Sequence, residues 1–333
     1  MLRWASYGII YRFATMQKQG QNSPVTSVWS ALASGFDLTA KHPWLLLLPI
    51  LLDLFLWLGP RLRFQAVIEK ILAALPLEAE ALELSNQLSQ MAPQTNLFSM
   101  LSVRLMGIPA LLAGLAPEKT PMVARIMEIS GGAEWILLFV LLSVAGLFLT
   151  AIYYVAISAV VKQQAPTNIG DWLAAIARSW LRLLALAVLF VFVAAIIYVP
   201  ISFIGAIVFI LNSTLGMMVV LLAPLFLVWI IIYLSFAPPA ITLNKRSLVQ
   251  AVKESMQLVQ GNLAAVLTIL LLILLLGAIV DWLLIQADNG TWLTLFNIII
   301  HAFVHTGFIT AFFIIYQDRA RRLAEAEAET VPA

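Results

Sequence analysis

The run Leu263–Ile285 constrains this chain more than any other stretch, because it is apolar except for Thr268 and Asp281. At about 1.5 Å per residue a helix over it reaches roughly 34 Å, enough to cross a hydrocarbon core of about 30 Å. The residues just before it, 248–260, are amphipathic and carry Lys253 and Glu254 among apolar side chains, and Gly261 and Asn262 then break the pattern. The unit reads as a helix lying on a membrane surface, a break, and a spanning helix.

Composition agrees with a lipid surrounding. Hydrophobic residues make up 62% of the 333 positions and charged residues 11%, against about 45–50% and about 25% in soluble domains. A water-soluble chain of this length cannot hide so much apolar surface. A net charge of +2 and the lack of basic runs give no reason to expect a nucleic-acid partner. The absence of cysteine excludes disulfides, thiol catalysis and thiolate metal sites. Residues 1–41 show no apolar stretch ending in a small-residue cleavage site, so the first span is expected to serve as its own insertion signal.

Taken in order, the pattern predicts an all-α polytopic bundle of about six spans, with interfacial amphipathic helices and a helical exterior insertion. Residues 1–42 read as cytoplasmic or interfacial helices. Span 1 covers 43–60, flanked by Trp44 and Trp57 where indoles favour the interface. The insertion, 61–133, shows short amphipathic helical patterns punctuated by prolines. Span 2 is 134–161, an interfacial helix 171–182 leads to span 3 at 183–211, and span 4 is 215–243. A second interfacial helix, 248–260, precedes span 5 (263–286), then span 6 (292–317) and a disordered, acidic cytoplasmic tail, 318–333. The stretch 97–116 is apolar enough to rival a span. Arg104 near its middle, with Gly107 and Pro109, favours a re-entrant or interfacial segment, since an Arg at mid-bilayer costs at least about 2.5 kcal/mol.

Six spans sort the charges. Lys41, Lys162, Arg178, Arg182, Lys245, Arg246, Lys253, Arg319, Arg321 and Arg322 fall on one side, and the six basic residues of the other side all lie within the long insertion. The positive-inside rule then places both termini in the cytoplasm and the insertion outside. Three stretches also align: Ala31–Phe36 with Ala251–Met256, and both with Ala175–Trp180. Each precedes an outgoing span, so the chain can be read as three copies of surface helix, span out, span back.

On Ala251-Val252-Lys253-Glu254-Ser255 with Gly261-Asn262 before a span, Ala237-Pro238-Pro239-Ala240-Ile241, and Gly307 with Tyr316-Gln317-Asp318-Arg319, the chain resembles bacterial multi-pass proteins related to the membrane domain of glycerophosphodiester phosphodiesterases. The resemblance implies about six spans in the cytoplasmic membrane, and no catalytic residues come with it. Nothing outside the spans is large enough for the fused phosphodiesterase barrel.

The residues that could carry chemistry are the ionisable and polar groups inside the spans: Asp53, Asp281, Asn297, His301 and His305. Asn297, His301 and His305 are spaced four apart and share one helix face, and all but the more central His305 fall in the outer half of the bundle. The bland role is interhelical hydrogen bonding. Two histidines at i, i+4 could also share a metal with a carboxylate or relay protons. The HExxH pattern, a GxSxG elbow and a phosphate-cradling glycine loop are absent. No cofactor is implied. The expected partners are membrane lipids and a protein at the exterior insertion. The first functional expectation is a non-enzymatic scaffold; the alternative is a transporter or lipid-handling permease using the polar cluster, and the third is an intramembrane metal-dependent hydrolase.

Overall fold

Pro43 sets a sharp bend between two helices. In the computed structural model, which describes residues 26–74, 79–103, 107–114, 116–117, 119–164, 166–286 and 290–330, helix α1 (Val28–Lys41) ends at His42 with φ −126° and ψ 63°. Proline drives the preceding residue out of the helical region and has no N–H to continue the ladder. The chain restarts as a 3-10 turn, Pro43–Leu46, leading into α2 (Leu47–Leu58), and the two arms are bent by 92°. The expected boundary between a surface helix and a span at 43–60 falls at this bend, and the two arms form a bent pair. Only together are its arms long and apolar enough to count as one crossing.

The remaining helices are α3 (Gln65–Ala74), α4 (Ala79–Met91), α5 (Gly132–Lys162), α6 (Ile169–Leu211), α7 (Ser213–Leu234), α8 (Ala237–Thr242), α9 (Leu248–Gly261), α10 (Leu263–Ile285) and α11 (Thr294–Thr330). The fold is an all-α helical bundle, and the five apolar helices of crossing length among the described residues, six with the bent pair, mark a membrane protein. Side-chain caps start several helices. Asn168 accepts from the Asp171 N–H, Asn212 from the Leu215 N–H, and Ser247 forms a capping box with Gln250, each satisfying a donor that the first turn leaves open.

Three expectations are corrected. Residues 171–182 and 183–211 form one continuous helix, α6, with Pro200 inside it, because a change of side-chain polarity marks a change of surroundings and not of backbone. Residues 318–330 are helical, where disorder was expected. Asp318 with Arg322 at 3.3 Å and Arg321 with Glu325 at 3.9 Å supply i, i+4 pairs there. The insertion is less helical than its pattern suggests. Besides α3 and α4 it holds 3-10 turns at Ala92–Gln94 and Leu97–Ser102, and strand β1 (Arg61–Arg63) pairs in parallel with β2 (Ile126–Glu128). The part of the 1–42 reading that falls on residues 1–25, cytoplasmic or interfacial helix, lies outside the described residues.

The described residues of 97–116 form no crossing helix. The Ala116 N–H donates to the Gln94 carbonyl at 2.8 Å, so the two ends of the stretch lie side by side. Between these points Leu97–Ser102 presses against the middle of α5, where a Cβ on Gly146 would stand 2.6 Å from the Met100 carbonyl oxygen. Irregular buried backbone needs protein groups to satisfy its N–H donors. Asp53 of α2 supplies that, accepting the N–H groups of Leu111 and Leu112, each at 2.9 Å.

Each of the three aligned stretches packs against another helix, by different contacts. On α1, Gly35 approaches α11 so closely that a Cβ there would lie 2.6 Å from the Gly307 carbonyl and the Ala311 nitrogen, a small-residue contact typical of membrane helices. Ser255, the aligned position on α9, donates its hydroxyl to the Tyr233 carbonyl at 2.6 Å and accepts the Phe236 N–H at 3.1 Å. Ser179, the third, is buried beside Trp180, whose indole N–H donates to the Val144 carbonyl on α5 at 3.3 Å. The partners of the three stretches are α11, α7 and α5 in turn.

Candidate functional site

Four of the five singled-out residues meet at the end of the bundle that carries the β1–β2 pair. Asp53 comes from α2, Asp281 from the last turns of α10, and His301 and His305 from one face of α11. Trp57 and Trp292 pack edge to face at 5.5 Å and fix α2 against the start of α11 just beyond the cluster.

Both imidazoles point at a single carboxylate oxygen. His305 Nε2 lies 2.9 Å and His301 Nε2 3.3 Å from Asp281 Oδ1, and the two rings are 4.2 Å apart between centroids. On its other side His301 Nδ1 faces Asp53 Oδ2 at 3.8 Å, too far for a hydrogen bond. That Nδ1 is buried and has no hydrogen-bond partner among the described residues. A Cβ on Gly277 would stand 3.1 Å from His305 Cε1, so a larger side chain there would displace the His305 ring.

Exposure falls along the cluster. The Asp281 side chain is 37% exposed, His305 19%, His301 4% and Asp53 0%. The exposed end opens into a crevice of about 590 Å³ between α7 and α10, walled by residues such as Val228, Ile231, Leu267, Leu271 and Leu274 and closed by Asp281 and His305. The arrangement is an apolar slot with a charged, hydrogen-bonding end. It can bind a polar group delivered on an apolar chain, pass a proton between carboxylates and imidazoles, or hold a cation on Asp281, His301 and His305, whose ligand atoms lie within 4.8 Å of one another.

Asn297 is the exception. Spacing puts it on the face of the histidines, but its amide donates to the Leu284 carbonyl at 2.9 Å and ties α11 to the end of α10. Asp53 has a double part, since both its oxygens already hold the 111–112 backbone.

A second polar centre, at the opposite end, was not singled out from the sequence. Glu254 accepts from Arg246 Nε at 2.6 Å and from the Tyr316 hydroxyl at 2.6 Å, and Asn244 donates to that same hydroxyl oxygen at 2.8 Å. A signal was present. Glu254 sits between Ala251 and Leu258 on the apolar face of α9, where a carboxylate is out of place unless something pairs with it.

Residues 93–317 match the family model described as a domain of unknown function (DUF7847). The matched stretch contains Asp281, Asn297, His301 and His305 and leaves out Asp53. No curated protein and no solved structure matches the chain. Running from Pro93 to Gln317 on α11, the match takes in about two thirds of the sequence, and the protein belongs to the DUF7847 family.

Proposed function

We propose that this is a lipid-handling permease of the bacterial cytoplasmic membrane, which admits an amphiphile sideways from the bilayer. The observation that carries the proposal is the crevice between α7 and α10, apolar along its walls and ending on Asp281 and His305. Its volume of about 590 Å³ is in the usual range of small-ligand sites, roughly 300–1,000 Å³. An acyl chain loses nothing by moving from lipid into such a slot. A headgroup bearing hydroxyl or ammonium donors gains Asp281 as acceptor, and an anionic one gains imidazole donors. Ionisable groups in a membrane are costly and need a reason to be there. The meeting of three helices' polar residues beside a lateral opening supports this reading over that of a scaffold, which needs no such opening.

In this proposal both termini are cytoplasmic and the 61–133 insertion is outside. Its support is the basic hollow at the end away from the cluster, lined by Lys162, Arg178, Arg182 and Lys245, as the positive-inside rule asks of the cytoplasmic face. The likeness to the membrane domain of glycerophosphodiester phosphodiesterases belongs to the same proposal, and its support remains the motifs quoted from the sequence.

The test is transbilayer movement of a fluorescent phospholipid in proteoliposomes. Wild type should accelerate it over empty vesicles. Ala278→Trp, which adds bulk to the crevice wall beside Asp281, should remove most of the acceleration. Equal rates for wild type and empty vesicles would count against the permease and leave a scaffold docking a partner on the exterior insertion.

A further inference from the structure

We infer that Asp281, His301 and His305 form a binding site for one divalent transition-metal ion of the zinc class, with Asp53 positioning His301 from behind. The inference stands on the cluster's own geometry and does not depend on what enters the crevice.

The first observation is spacing. In a tetrahedral zinc site with metal–ligand bonds of about 2.0–2.1 Å, neighbouring ligand atoms stand about 3.3 Å apart. Here Asp281 Oδ1 is 3.3 Å from one Nε2 and 2.9 Å from the other, and all three ligand atoms lie within 4.8 Å of one another. Histidines at i, i+4 place both nitrogens on one side of α11 with no distortion of the helix. Two imidazoles and one carboxylate suit zinc, cobalt, nickel or ferrous iron better than calcium or magnesium, which take oxygen ligands.

The second observation is the buried Nδ1 of His301. If Nε2, which faces Asp281 Oδ1 at 3.3 Å, carries the proton, Nδ1 presents a lone pair toward the Asp53 carboxylate at 3.8 Å and has no hydrogen-bond partner among the described residues. Metal on Nε2 reverses this. The proton then belongs on Nδ1, and a small turn of the ring lets it donate to Asp53, the carboxylate–histidine–metal relay common around metal sites. Asp53 is prepared for that part, because the N–H groups of Leu111 and Leu112 hold its carboxylate in place.

Charge and access agree. A divalent ion balances the two carboxylates, Asp53 and Asp281, inside an apolar bundle. Asp281 lies about one turn from the end of α10 at Ile285, so an ion has only about 6 Å of helix to pass. Three protein ligands leave a fourth position open, and Asp281 is the most exposed of the three.

The test uses the full chain in detergent, stripped with a chelator and titrated with Zn²⁺ by calorimetry, then with Co²⁺ to read the visible absorption of a tetrahedral site. The expected result is one ion per chain, with intense Co²⁺ bands. Binding should be lost in the H301A/H305A double variant and unchanged in His42→Ala. In Asp53→Asn it should be weaker by about 10–100-fold, as for other outer carboxylates. Stripped wild type that takes up no more Zn²⁺ than the double variant would overturn the inference and leave an interhelical hydrogen-bond cluster; should the double variant fail to fold, absence of uptake by wild type alone does the same. Lipid movement by metal-free protein would leave the permease standing, and metal uptake without lipid movement would leave the metal site standing.

Discussion

Asp53 Oδ1 accepts the backbone N–H of Leu112 at 2.9 Å, and through this bond a membrane helix holds a loop that has no ladder of its own. The same carboxylate faces His301, so a fastening of the fold and the back of the polar cluster are one side chain.

Removing that carboxylate should loosen the 107–114 loop. Asp53→Ala leaves one buried and one part-buried N–H group without acceptors, at up to about 1–3 kcal/mol each. Asp53→Asn keeps one carbonyl oxygen and should cost roughly half as much. Thermal or denaturant unfolding in detergent reads the order. Equal stabilities of both variants with wild type would mean that the loop is held by something else.

Contact between α1 and α11 depends on the space above Gly35. Gly35→Leu should force the helices apart and destabilise the protein by about 1–3 kcal/mol, the usual cost of overpacking. Gly132→Leu, where nothing lies within 4 Å of an added Cβ, is the matching control and should be near neutral in the same unfolding measurement.

At the far end, Tyr316→Phe removes a hydroxyl that donates to Glu254 and accepts from Asn244. The expected loss is about 1.5–3 kcal/mol, because one bond is to a charged group. Glu254→Ala should cost more, since Arg246, Asn244 and the tyrosine all lose their acceptor or partner together. An unfolding midpoint unchanged by Tyr316→Phe would show that the network is ornamental.

Orientation can be read directly, because the sequence contains no cysteine. Val123→Cys sits at a fully exposed position in the insertion, and a membrane-impermeant maleimide should label it in intact cells. Arg321→Cys, on α11 beyond the crossing, should label only after lysis. The reverse pattern would invert the proposed topology.

What the sequence made legible was set by length scale. Apolar runs such as Leu263–Ile285 and the i, i+4 pair His301–His305 repeat with a helix's own period, so they could be read locally. The meeting of Asp53 with His301 joins residues far apart in the chain and follows from how helices pack, which no local period encodes. The 3-10 turns and the three-residue strands of the insertion are too short to carry a period at all. Helix α6 shows the opposite error: its polarity changes near Leu183 while its backbone does not, and a boundary was drawn where only the solvent changes.

The most direct test of the account is phospholipid movement in proteoliposomes carrying Asp281→Asn, measured beside the variant's unfolding midpoint. Asparagine keeps the size of the side chain and a carbonyl acceptor but removes the charge at the end of the crevice. The account predicts a folded protein, destabilised by no more than about 1–2 kcal/mol, that no longer moves lipid faster than empty vesicles. A variant that moves lipid as fast as wild type would contradict it, because the polar cluster would then be no more than a fastening between helices.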